Sequence, residues 1–241
     1  MKLKTPIKSL AVGITATLAT IAMLSTSAQA AILSGTVILS DLLAGNSYQL
    51  GDKLFDNFRA FSTIETGGAN GPEADEIFVF GEIAGSAYNL LFQSALWNVT
   101  SGQTIDTTFQ YDVTVLDPNQ WIDKVDLELK TYGTNGTGFI TITDRVDLLD
   151  PGSGSVNLLA TSTSPFDSVI KDVIPHQKKI SVTKDIALVG GTNGMASISL
   201  INQSVHQTTP ESSIVLGILA VAGMGLTVKV KKLKTTITRV G

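Results

Sequence analysis

One run of residues limits what this chain can fold into more than any other. From Ile105 to Val115, Ile105, Thr107, Phe109, Tyr111, Val113 and Val115 fall on one side of an extended backbone, and Asp106, Thr108, Gln110, Asp112 and Thr114 on the other. Successive side chains of a strand point to opposite faces, so this period of two marks a half-buried antiparallel strand. A helix would scatter both sets around its circumference. The same alternation returns where Val125, Leu127 and Leu129 interleave with Asp126, Glu128 and Lys130, and again over Ile180–Leu188. Further strands are expected at Ile77–Phe80, Phe139–Val146, Val156–Thr161 and Ala196–Gln203, and two short ones around Gly51-Asp52 between Tyr48 and Phe61.

Turn chemistry separates these runs: Asp117-Pro118-Asn119, Thr134-Asn135-Gly136, Asp150-Pro151-Gly152 and the glycine-rich Gly67–Pro72 and Gly190–Gly194. No segment of the body sustains a helical apolar period. The reading is an all-β, antiparallel β-sandwich of jelly-roll or Ig-like type over residues 31–205. That length buries a core without covalent staples. None is available from sulfur, because the chain has no cysteine. Thiolate metal sites go with it.

The two ends read differently. Lys2, Lys4 and Lys8 precede an apolar stretch, Leu10–Leu24, and Ala28-Gln29-Ala30 follows. A basic n-region, an h-region and an Ala-x-Ala site predict a signal peptide over 1–30, cut so that Ala31 becomes the first residue. At the other end, residues 206–241 form a linker and tail with an apolar helix expected at 214–228 and a basic end at 229–239. A fifteen-residue helix spans about 22 Å, short for a bilayer core of about 30 Å, and the lysines would hold its end on the cytoplasmic side. Between the two ends lie nine basic and twenty acidic residues, a net charge of −11. An acidic body argues against nucleic acid as a partner, since phosphate needs a basic face.

Pro210, Glu211, Ser212 and Ser213 stand directly before the apolar run and the lysines. This tail resembles the PEP-CTERM sorting signal of bacterial exported proteins, whose usual form is Val-Pro-Glu-Pro-Ser-Ser; the second proline is absent here. The resemblance implies export, at least transient inner-membrane contact through 214–228, and processing near Pro210-Glu211 by an exosortase-type membrane enzyme, with the export machinery as a further partner. The body is similar, in patches such as Gly51–Phe58 and Val182–Ile186, to cyanobacterial proteins that carry the same kind of tail. The family implies a place in the cell envelope or the extracellular polysaccharide layer and carries no activity with it.

Catalytic candidates are few. His176 and His206 are the sole histidines, His206 in the expected linker, and no Gly-x-Ser-x-Gly marks a nucleophile for a triad. A zinc site lacks ligands for the same reason. Asp106 with Asp112 and Asp126 with Glu128 are candidate carboxylate pairs for glycoside hydrolysis, though polar strand faces carry solvated carboxylates anyway. Calcium is the one cofactor considered: Asp144, Asp147 and Asp150 could surround a hard cation, although an Asp-Pro-Gly turn accounts for Asp150 alone. Glu73, Asp75 and Glu76 form another acidic cluster. Trp97, Trp121, Tyr88 and Tyr132 could line a sugar-binding face if exposed, with Trp97 expected in the core. The expectation is an exported, non-enzymatic envelope or matrix protein, structural or adhesive in the exopolysaccharide layer. A carbohydrate-binding module is the alternative, and a polysaccharide-acting hydrolase a more distant one.

Overall fold

The computed structural model describes residues 31–163 and 167–209. The expected signal peptide and its cleavage residues Ala28 and Ala30, the sorting motif and the apolar 214–228 helix lie outside them. Among the described residues no helix is long and apolar enough to cross a membrane. In chain order the strands are β1 (Ile32–Leu33), β2 (Val37–Ile38), β3 (Ser47–Leu50), β4 (Lys53–Thr66), β5 (Phe78–Ala84), β6 (Ala87–Gln93) and β7 (Asn98–Val99). They continue as β8 (Thr104–Val115), β9 (Trp121–Gly136), β10 (Phe139–Asp150), β11 (Ser155–Thr161), β12 (Ser168–Gln177), β13 (Lys179–Val189) and β14 (Gly194–Thr208). A short helix α1 (Leu39–Leu43) follows β2, and a 3-10 turn (Ala74–Glu76) precedes β5.

These strands form two sheets. The first runs β1-β3-β4-β8-β13-β10-β11, the second β12-β9-β14-β6-β5-β2, with β7 pairing β14. The β1–β3 pairing is parallel and the others are antiparallel. β8 obeys its sequence: Ile105, Thr107, Phe109, Tyr111, Val113 and Val115 are all buried, the five apolar ones within the hydrophobic core. Phe92 of β6 packs against Phe109 with ring centroids 5.0 Å apart, joining the two sheets at the centre.

β4 departs from simple alternation. Phe55, Phe58 and Phe61 recur every third residue, yet all three pack into the core. Two β-bulges make that possible. Asp56 pairs with Asp112 and Arg59 with Gln110, so Asn57 and Phe58 together oppose Tyr111, and Ala60 and Phe61 together oppose Phe109. Asn57 and Ala60 adopt positive φ at 53° and 55°, and Phe58 stacks on Tyr111 at 5.1 Å.

Three elements go beyond the sequence reading. β6 was not picked out because both of its faces carry buried residues, so no polar stripe betrays a period. β12 contains Pro175, which an edge strand accepts because one side of it needs no ladder partner. β14 runs to Thr208, past the expected boundary at 205, and takes His206 out of the linker and into the sheet.

Candidate functional site

Polar side chains collect in three places, and each follows from strand parity. The first is inside the sandwich. On β10 the inward positions are Ile140, Ile142, Asp144, Val146 and Leu148; on β13 they are Ile180, Val182, Lys184, Ile186 and Leu188. One charge thus stands in each apolar stripe, and the two residues lie directly opposite in the ladder. Lys184 Nζ donates to both carboxylate oxygens of Asp144 at 2.8 Å and to Gln203 Oε1 at 3.0 Å. Both charged side chains are fully buried. Burial pushes the Lys184 ammonium down and the Asp144 carboxyl up, each partly offset by its partner's charge.

The second cluster lies on the outer face of the first sheet. Asp112 accepts hydrogen bonds from Arg59 at 3.0 Å and Asn57 at 3.1 Å and pairs with Lys179 at 3.1 Å. Burial would raise its carboxyl, but bonds from Asn57, Ser181, Lys179 and Arg59 outweigh that and hold it below the usual range. Two of those donors, Asn57 and Arg59, sit at the first bulge of β4, so this cluster fixes the bulge. Further along the face, Asp106 is pushed up to about 6 by burial and by the neighbouring Asp185 carboxylate. Its direct cross-strand neighbours are Ile64 and Ala187, which offer neither charge nor donor.

The third is a ladder on the outer face of β9, β14 and β6. Ser204 Oγ donates to Asn89 Oδ1 at 2.5 Å, Asn202 Nδ2 to Ser204 Oγ at 3.2 Å and to Glu128 at 3.4 Å. His206 Nε2 lies 2.8 Å from Asp126 Oδ2. Among the described residues Asn202 Oδ1 and Asp126 Oδ1 have no hydrogen-bond partner.

These positions settle where each sequence candidate goes. The calcium set does not converge: β10 sends Asp144 into the core, where Lys184 occupies it, and Asp147 to the outside, where it meets Arg145 at 2.8 Å. Asp150 lies at the exposed end of β10. Among the described residues no three His, Cys, Asp or Glu side chains are grouped to hold a metal. Glu76 is used in a capping box with Glu73. Asp106 and Asp112 stand apart along the outer face of the first sheet, one beside Asp185 and the other held by Arg59 and Lys179, and Asp126 and Glu128 stand side by side on one strand instead of across a cleft. His176 is exposed on β12. His206 forms a dyad with Asp126, but the Ser204 hydroxyl is turned to Asn89, so no nucleophile completes it.

The aromatics are mostly inside. Trp97 is fully buried, its Nε1–H donating to Thr107 at 3.2 Å, and Tyr88 is buried beside Lys53. Trp121 is half-buried with Lys178 Nζ 4.6 Å above its ring, and Tyr132 is half-buried with its hydroxyl on Asp167. Lys184, Gln203 and Asn202 were missed by the sequence reading. Their signal was a polar residue at an inward or central position of an otherwise alternating strand.

No protein-family model matches the chain, and no curated protein does. Among solved structures, the chain is similar to TmCBM61 in complex with beta-1,4-galactotriose at 12% identity, covering 62% of this chain and 88% of that one, with a TM-score of 0.30. It is also similar to the enzymatically active domain of bacteriophage CBA120 tailspike protein 4, at 12% identity and a TM-score of 0.23, covering 59% of this chain and 19% of that one. Likenesses of this size carry no argument about ligand or activity.

Proposed function

We propose that this is an exported, non-enzymatic protein of the cell envelope or extracellular matrix that adheres to polysaccharide through the outer face of β9, β14 and β6. The observation that carries the reading is the half-exposed group of Glu128, Asp126 and His206 on that one face, backed by the buried chain of Asn89, Ser204 and Asn202 that holds Glu128 in place. Carboxylate and imidazole groups supply acceptors and a donor of the kind that pair with sugar hydroxyls. With Trp97 in the core and Trp121 beneath Lys178, a stacking platform of tryptophans does not contribute. Adhesion then rests on many weak contacts repeated along a polymer. The acidic body suits an exposed surface protein, and the sorting-type tail supplies the route to the envelope. The interleaved strand order, with β13 and β14 central in their sheets, favours the jelly-roll over the Ig-like arrangement.

The test is electrophoresis of the native protein through gels cast with extracellular polysaccharide from the producing cells. The parent is expected to be retarded, and the double variant Glu128→Ala/His206→Ala, at two half-exposed positions, to run freely while keeping its thermal transition. A folded parent that ignores the polysaccharide ends the adhesive reading. Intact mass by cell fraction addresses sorting separately. A species running from Ala31 to near Pro210 in the medium or outer envelope is expected. Recovery of only a full-tail species in the inner membrane would make the protein an anchored surface domain instead.

A further inference from the structure

Two chemically complementary groups meet in the core with nothing catalytic or ligand-binding around them. Lys184 Nζ is 2.8 Å from each oxygen of Asp144, which puts it about 3 Å from the carboxyl carbon, within the distance of a reacting pair though still edge-on to the carboxyl. Both side chains are fully buried, so neither is held apart by water. They face each other across one ladder position of β10 and β13, and Gln203 from the opposite sheet fixes the third side of the nitrogen. The rings of Phe92 and Tyr111 close the surroundings: Nζ is 5.9 Å from the Phe92 ring, which in turn packs 6.0 Å from Tyr111.

We propose that Lys184 and Asp144 join in an intramolecular amide bond once the domain has folded. The ion pair first becomes a neutral pair when a proton passes from the ammonium to the carboxylate. Desolvation favours that transfer, because it lowers the affinity of the lysine for its proton and raises that of the aspartate. The symmetric contact holds Nζ near the Cβ–Cγ axis and edge-on to the carboxyl, so a swing of the Lys184 amine off that axis is what brings its lone pair over the face of the carboxyl carbon. The Nζ–Cγ bond forms, the Cγ–OH bond breaks, and the hydroxyl leaves with a proton from nitrogen as one water. No oxidant or reductant is needed. The product ties β10 to β13 covalently in a chain that has no cysteine for a disulfide. It also removes two buried charges, whose desolvation is otherwise a standing cost.

Mass spectrometry of the full chain as it is produced decides the matter, independently of any polysaccharide. The folded protein is expected to weigh one water less, about 18 Da, than its own termini require. Its digest should contain a branched species joining the peptide that holds Asp144 to the one that holds Lys184, with no tryptic cleavage after Lys184. Chains extracted directly into denaturant after synthesis, before folding, should lack the loss, and Lys184→Met should lack it in every sample. Recovery of unlinked Asp144 and Lys184 peptides from protein held folded for days would overturn the proposal. A water loss that persists in Lys184→Met would do the same.

Discussion

Asp106 makes the stability of this domain fall as pH rises through the mildly acidic range. Its carboxyl is pushed up to about 6 in the folded state, from 3.8 for an unperturbed aspartate. The causes are burial between uncharged neighbours and the carboxylate of Asp185, which Thr108 steadies at 3.3 Å and Thr143 at 3.5 Å. A group with a raised folded pKa binds its proton more tightly when folded. Its contribution is therefore neutral below the unfolded value, turns unfavourable between about pH 4 and pH 6, and stays so above. A shift of two units would correspond to about 3 kcal/mol at full strength. The pair sits on a half-exposed sheet face where water screens it, so about 1 kcal/mol is the expected size. Asp106→Asn removes the charge and supplies an N–H toward Asp185. Urea unfolding of parent and variant should give equal stability near pH 4 and a variant about 1 kcal/mol more stable near pH 7. Taking the difference cancels the opposite trend of Asp112, whose depressed pKa gives stability that is lost as pH falls. A difference that stays constant across that range would refute the argument.

Trp97→Ala should cost about 3–5 kcal/mol in urea unfolding, since it empties a fully buried site and leaves the Thr107 hydroxyl only the 3.5 Å contact with Thr63; a loss under 1 kcal/mol would mean the ring is not in the core. Lys178→Met removes donors to the carbonyls of Asp117, Pro118 and Gln120 and the cation above Trp121, and should lower the thermal midpoint by the equivalent of about 1–2 kcal/mol. An unchanged midpoint would show that the 117–120 turn holds itself. Gly190→Ala would drive its Cβ into the Thr100 carbonyl and should abolish cooperative folding, while Gly133→Ala, whose nearest neighbour is Ser197 Oγ at 3.5 Å, should fold normally. Equal tolerance of both would refute the close approach of the 190 and 100 loops.

The sheet architecture was legible because strand parity is a strong constraint: the inward face of β8 is the one its alternation dictates. The two-sheet arrangement followed from the number and spacing of such runs. The polar interior was equally present in the pattern, at Lys184 and Asp144, but a single charge in an apolar stripe reads as an error until its partner across the ladder is known. Pairing is a long-range fact, and Asp144 alone looked like a cation ligand. The outer ladder was hidden for another reason. Asn202 and Ser204 gain meaning from Asn89, Asp126 and Glu128 on neighbouring strands, which one strand's sequence does not reveal. His206 was misplaced because nothing in residues 204–208 signals where a polar strand stops.

The bulged strand β4 also dictates which changes in chain length the fold can absorb. Asn57 and Ala60 are spacer residues: with both gone, Phe55-Asp56-Phe58-Arg59-Phe61-Ser62 would read inward, outward, inward, outward in strict alternation, and Phe58 and Phe61 would still reach Tyr111 and Phe109. Loss of Phe58 or Arg59 instead would also keep the frame beyond it, but would put Asn57 in the place of an aromatic ring or Ala60 in the place of the guanidinium that holds Asp112. Insertions and deletions among relatives of this chain should therefore fall on those two positions of β4, making Asn57 and Ala60 the points where the strand's length can drift while its inward frame is kept.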